Sequence, residues 1–130
     1  MVARFASVGL LLALQGCGFA HDEEIAGPYR LVAVDISAQM SVCYSLGGNC
    51  NGRVGPTVFE TGANDAYVVA ARHPGNDKSR TEYFYVIRKL DTAEADPSVA
   101  VRGPFDEPAY RQQESQLGLP SFTRVDGSLR

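Results

Sequence analysis

The chain contains three cysteines, and the spacing of two of them shows which chemistry is open to it. Cys43 and Cys50 enclose the segment YSLGGN, in which two consecutive glycines favour a turn that brings the ends together. A pair of this kind can form a disulfide, and thiolates can also bind zinc. A zinc site needs further ligands, whereas His21 and His73 lie far off in the sequence. The spacing therefore favours a Cys43–Cys50 disulfide over a metal site, and we predict no metal or cofactor.

The N-terminal residues indicate which compartment the cysteine pair reaches. Arg4 is the only charged residue before His21, and residues 5–14 are all apolar or small. A positive charge followed by a short apolar run is typical of an export signal. The run is too short to cross a bilayer, which takes about 20 apolar residues. The sequence thus predicts export to an oxidising compartment, where a disulfide is expected to form.

The signal ends in the residues LQGC, and this ending resembles the lipobox of bacterial lipoproteins. The resemblance implies cleavage before Cys17, a thioether-linked lipid on its sulfur and acylation of its new amine. Gly18 stands where an aspartate would retain enterobacterial lipoproteins, which implies the periplasmic face of the outer membrane. A single acyl chain binds a membrane only marginally, but several chains hold a protein there. The alternative is a buried N-terminal helix with a core cysteine, which the glycines flanking Cys17 disfavour.

These features divide the chain into a cleaved signal (1–16), a lipidated polar tether (17–26) and a single globular domain (27–130). The chain has 12 basic and 15 acidic residues and a net charge of −3, and it lacks any basic run. A nucleic-acid-binding function therefore has no support. The membrane, reached through the lipid on Cys17, and a protein of the cell envelope are the predicted partners.

Several segments of the domain have the composition of β-strands. In the clearest one, Tyr83, Tyr85 and Ile87 alternate with Phe84 and Val86, so both faces carry large apolar groups and both should be covered. Short connections favour antiparallel pairing. The predicted strands are 29–36, 40–45, 53–60 (split, bulged or at an edge because of Pro56), 66–72, 81–89 and 99–102.

The C-terminal part changes to a helical pattern. Asp106 is suited to cap a helix over 109–117, with Pro108 in its first turn. Gly118 suits the position after the helix, and the residues beyond Pro120 are expected to be frayed. The fold class predicted from these elements is α+β, with a mostly antiparallel sheet of five or six strands and one C-terminal helix.

The order of these motifs resembles a family of small bacterial lipoproteins of unknown function. The resemblance is carried by VGPTVFETG before AYVVAARHP, and by the glycine-proline entry to the helix in RGPFDEPAYRQQESQLGLP. It covers residues 27–120. The resemblance implies a lipid-anchored envelope protein and transfers no catalytic residue.

Candidates for catalysis are few. His73, with Asp77 nearby in sequence, could act as a general base, but a loop histidine is the simpler interpretation. We therefore predict no catalytic residue and no enzyme activity. Three arginines lie at or near the ends of predicted strands and should be solvated or paired with acids. They are Arg53, Arg72 and Arg88. The aromatic residues are expected to pack in the core, although some of them could form an exposed binding patch.

The function predicted from these observations is a non-catalytic binding or inhibitor module of the envelope, of the immunity or exclusion type. A structural or assembly accessory of the envelope is the alternative. A small hydrolase that uses His73 is the third and least supported hypothesis.

Overall fold

The computed structural model describes residues 19–130. The predicted signal and the lipidation of Cys17 lie outside the described residues. Within residues 19–130, two α-helices and nine strands follow one another. They are β1 (His21–Ala26), β2 (Tyr29–Ala33), β3 (Ser41–Leu46), β4 (Asn49–Val54), β5 (Val58–Ala63), β6 (Tyr67–Arg72), β7 (Glu82–Ile87), α1 (Pro97–Ala100), β8 (Val101–Phe105), α2 (Glu107–Leu117) and β9 (Arg124–Val125).

The strands form two antiparallel sheets, and α2 is the main helix, so the predicted α+β class is confirmed. The four-stranded sheet has the order β1-β2-β3-β4, and the five-stranded sheet has the order β8-β7-β6-β5-β9. We had expected one sheet of five or six strands. The difference arises at Pro56, which has no N–H for a ladder and separates β4 in one sheet from β5 in the other.

The five-stranded sheet is the middle layer of the molecule. On one face, the ring of Tyr83 stacks on that of Tyr110 in α2, with centroids 4.9 Å apart, and the Tyr85 hydroxyl donates to Gln113 Oε1 at 3.1 Å. Alternation along β7 leaves Phe84 and Val86 on the opposite face, where both are buried. The core joins buried residues of both sheets and of α2 in one cluster. The predicted covering of both faces of this strand is thus confirmed.

The predicted helix caps are also confirmed. The Asp106 carboxylate accepts the backbone N–H of Ala109 at 2.9 Å, and Pro108 lies in the first turn. Gly118 ends the helix in the left-handed conformation at φ 65°. Tyr110 is the fully buried residue through which α2 packs on the sheet.

Residues 17–26 were expected to form a polar tether, but most of them do not. Residues 21–26 form β1, which pairs with β2 from His21 opposite Ala33 to Ala26 opposite Tyr29. The polarity that suggested a tether is that of an edge strand, because charged residues on an edge discourage pairing with other chains. Within the described residues, only Phe19 and Ala20 precede β1.

The expected fraying after Pro120 is also wrong. The Thr123 N–H donates to Thr61 O at 2.9 Å, β9 pairs with β5, and Leu129 is buried. The tail crosses β5 so closely that a Cβ on Gly62 would lie 2.0 Å from the carbonyl oxygen of Ser121. Across residues 19–130, no helix has the length and apolar character needed to span a membrane.

Candidate functional site

Three cavities open side by side where β6 begins and β7 ends, with volumes of about 360, 330 and 300 Å³. Asp65 lines all three, Arg88 borders the first two, and Lys89 borders the last two. Volumes of this size fall at the low end of the range for ligand sites. We call the surface formed by these adjoining cavities the groove and define it by Tyr29, Tyr44, Asp65, Tyr67, Arg88 and Lys89.

The turn between β5 and β6 forms one wall of the groove. The Asn64 side-chain oxygen accepts the backbone N–H groups of Ala66 at 3.0 Å and Tyr67 at 2.8 Å, an arrangement that asparagine adopts readily in turns. The end of β7 is tied to this turn, because Arg88 Nη1 donates to Asn64 O at 2.6 Å and the Arg88 N–H donates to Ala66 O at 3.0 Å. The backbone of the groove is thus fixed on both sides.

Arg88 crosses from this turn toward the four-stranded sheet. Its guanidinium carbon lies 5.8 Å from the centroid of the Tyr29 ring, a favourable cation–π distance. Gly27, at φ 53°, makes room for it, since a Cβ there would come within 2.9 Å of Arg88 Nη2. Within residues 19–130, neither Arg88 nor Lys89 has a carboxylate oxygen within 4.0 Å. The groove therefore presents two cations that form no ion pair within the described residues, beside the exposed side chain of Asp65.

A buried charge cluster lies beneath the groove. Asp91 Oδ2 accepts the Tyr29 hydroxyl at 2.8 Å and Arg53 Nε at 2.8 Å. The side chains of Arg53 and Asp91 are 1% and 0% exposed. Arg53 also donates to the carbonyl of Thr92 at 2.8 Å, which ties β4 to the segment after β7. Burial, followed by the Asp91 carboxylate, raises the pKa of Tyr29, so the phenol stays protonated as the donor.

His73 lies at the opposite end of β6 and is 5% exposed. Its ring stacks on Phe59 with centroids 4.3 Å apart, and Nδ1 lies 2.7 Å from Arg80 O, which makes Nδ1–H the donor. Its Nε2 is buried and, among the residues that the structure describes, has no hydrogen-bond partner. His73 lines none of the three cavities of the groove.

The structure brings Cys43 and Cys50 together. They lie on β3 and β4, with Cα atoms 5.4 Å apart and sulfurs at disulfide distance. Within the part of the chain that the structure describes, no group of three or more His, Cys, Asp or Glu side chains is placed to hold a metal ion. Cys17 lies outside the described residues.

Sequence reasoning missed the residues that shape the groove. Arg53 and Arg72 are paired with acids, as expected, through Asp91 and Glu82. Arg88 was also expected to be solvated or paired with an acid, but it contacts the ring of Tyr29 and the carbonyl of Asn64 instead. Asp91 belongs to the acidic segment LDTAEAD, residues 90–96. No local signal distinguishes it, because its neighbours Arg53 and Tyr29 are 38 and 62 positions away.

No protein-family model, no curated protein and no solved structure matches this chain. The resemblance to small bacterial lipoproteins therefore stays a prediction.

Proposed function

We propose that this chain is a lipid-anchored protein of the bacterial envelope whose domain binds another protein through the groove, as an inhibitor of the immunity or exclusion type. The lipidated residue is Cys17, and the Cys43–Cys50 pair is oxidised in the periplasm. The observation that carries the binding role is the pair of cations Arg88 and Lys89, which form no ion pair within residues 19–130 and lie among tyrosines.

The composition of the groove supports a protein ligand. Tyrosine and arginine are enriched among the residues that contribute most to protein interfaces. Tyr44 and Tyr67 are partly exposed at the two sides of the groove. Unpaired positive charge favours a partner with an acidic patch, because complementary charge speeds encounter and sets orientation.

The environment of His73 gives less support to a hydrolase. A general base must reach the proton that it removes. The free nitrogen, Nε2, is enclosed, while Nδ1 is occupied by the carbonyl of Arg80. The ring is held between Phe59 and the backbone, which is a packing role.

Photo-crosslinking in intact cells tests the binding role. A crosslinking amino acid replaces Tyr67 in the groove of the full-length protein, and a second version carries it at exposed Gln112 on α2. We expect a discrete adduct from position 67 alone. Identification of the adduct separates the alternatives, because an inhibitor captures a protein that arrives from outside, whereas an assembly accessory captures a resident envelope protein.

Charge reversal provides the matched control. Lys89→Glu should abolish the adduct, whereas Lys78→Glu, the same change in the loop near His73, should leave it intact. Adducts of equal yield from positions 67 and 112, or an adduct that Lys89→Glu does not weaken, would contradict binding through the groove. The anchor is tested separately by the intact mass of the mature protein, which should show cleavage before Cys17 and an added lipid that Cys17→Ser removes.

A further inference from the structure

An apolar patch lies at the end of the molecule where the described chain begins. Phe19, Val34 and Ile36 are 39%, 54% and 60% exposed. The backbone of Phe19 lies beside that of Val34, because the adjacent Ala20 N–H donates to Val34 O at 2.9 Å, and Ile36 follows two positions after Val34. This contact extends the pairing of β1 with β2 beyond His21 and Ala33.

The segment that carries Val34 and Ile36 is held in place. The side-chain oxygen of Gln39 accepts the backbone N–H of Asp35 at 2.7 Å and that of Ile36 at 3.3 Å. The Gln39 N–H in turn donates to Ile36 O at 3.0 Å. The side chains of Val34 and Ile36 therefore project from a segment whose backbone is held by hydrogen bonds to Gln39.

We propose that Phe19, Val34 and Ile36 rest in the lipid surface beside the anchor on Cys17, and thereby orient the domain with its groove away from the membrane. This inference rests on the proposed lipidation of Cys17. Two residues of extended chain span about 7 Å at most, so Phe19 cannot lie far from a lipidated Cys17. Apolar side chains next to an acyl anchor bury further apolar area at the interface, and this favours one orientation of the domain on the membrane.

Strand direction places the groove at the opposite end. β2 runs from Tyr29, which lines the groove, to Ala33, which adjoins the patch. β3 runs back from Ser41, opposite Val32, to Tyr44 and then Leu46 beside the groove end. At about 3.3 Å per residue, Leu46 lies about 16 Å along the strand from Ser41. A domain seated on the patch thus exposes the groove to a partner in the periplasm.

The absence of tryptophan from the chain makes a depth measurement direct. Ile36→Trp and Leu46→Trp place single fluorophores at the two ends, at positions that are 60% and 50% exposed. The mature lipidated proteins are incorporated into vesicles of phosphatidylethanolamine and phosphatidylglycerol, with or without brominated acyl chains. We expect the brominated lipid to quench the Ile36→Trp protein several-fold more than the Leu46→Trp protein. The emission of the Ile36→Trp protein should also shift to the blue.

A further variant tests whether the patch itself sets the orientation. Val34→Ser combined with Ile36→Ser, in the Leu46→Trp background, should raise the quenching of the fluorophore at position 46 because the domain no longer has a preferred side. Equal quenching of the Ile36→Trp and Leu46→Trp proteins, with the rest of the patch intact, would overturn the proposal.

Sedimentation with the vesicles separates failure of the patch from failure of the anchor. An Ile36→Trp protein that sediments with the vesicles but is not quenched refutes the patch alone. Protein that stays in solution and lacks the lipid mass refutes both the patch and the anchor.

Discussion

Strands β6 and β7 end in two different polar environments. At one end, Arg88 and Lys89 border the open groove above the buried Asp91 cluster. At the other end, His73 is enclosed between Phe59 and the backbone of Arg80. Both ends contain a buried ionisable side chain, and only the Asp91 end adjoins the groove.

The difference shows how burial should be interpreted in this protein. From sequence alone, His73 suggests a catalytic role. In the structure, its ring packs on Phe59 and is hydrogen-bonded to the backbone of Arg80. Asp91 suggests no role from sequence alone, but it accepts the hydrogen bonds that hold Tyr29 and Arg53 in place beneath the groove. The two ends are distinguished by the groups that each buried side chain contacts, and not by the type of the titratable residue.

Removal of the Asp91 carboxylate should have the largest effect. Asp91→Ala leaves Arg53 buried without its counter-ion, which should lower the free energy of unfolding by about 3–5 kcal/mol. Urea denaturation measures this change. The double variant Arg53→Met with Asp91→Leu removes both charges, and it should recover most of the loss because apolar residues can replace a buried pair. If Asp91→Ala proves at least as stable as the double variant, the unpaired charge of Arg53 is not the cause of the loss.

Substitution of His73 should affect packing alone, and therefore the stability of the domain but not binding through the groove. His73→Ala removes the stack on Phe59 and the hydrogen bond to Arg80 O, and it should lower the free energy of unfolding by about 2–3 kcal/mol. Crosslinking through position 67 should persist in this variant at a temperature where it is folded. His73→Phe, which keeps the stacked ring, serves as the control and should retain more of the stability and the full yield of the adduct from position 67. Loss of that adduct in a folded His73→Phe protein would contradict a role in packing alone.

Tyr29→Phe isolates one hydrogen bond at the groove end. Loss of the hydroxyl that Asp91 accepts should cost about 1.5 kcal/mol at neutral pH. The folded pKa of Tyr29 is raised, so the contribution of the hydroxyl is complete below the unfolded pKa of about 10 and declines as the pH rises above it. Thermal unfolding from neutral to alkaline pH should therefore show wild type losing more stability than Tyr29→Phe. Parallel alkaline profiles would contradict the assignment.

Asp77→Asn should have the smallest effect, at the His73 end. The hydroxyl and backbone N–H of Ser79 donate to the Asp77 carboxylate and lower its pKa below the ordinary value of 3.8. The stabilisation is present above that value and is lost as the pH falls through the folded pKa. The unfolding midpoints of wild type and variant should differ slightly at pH 7 and converge in acid. Asp35→Asn is the control, because within residues 19–130 the Asp35 carboxylate accepts no hydrogen bond.

Local patterns predicted much of the fold. The alternation of Tyr83 to Ile87 identified β7, and Asp106 and Gly118 identified the ends of α2, because these signals depend on neighbours within a few residues. β1 was missed because an edge strand with charged residues has the same composition as a solvated linker. The groove was missed because it needs the register of β6 against β7 to bring Asp65 and Arg88 together.

The sequence by itself determined the fold class and the caps of α2, since each follows from the local backbone or from side-chain periodicity. It left open whether Pro56 splits its strand, bulges it or places it at an edge. The tertiary structure alone decided which acid of the segment LDTAEAD is buried. Asp91, Glu94 and Asp96 are equivalent by composition, but only Asp91 lies between Arg53 and Tyr29. The physical reason is that a buried charge depends on its partners in space, and here those partners come from two strands of the other sheet.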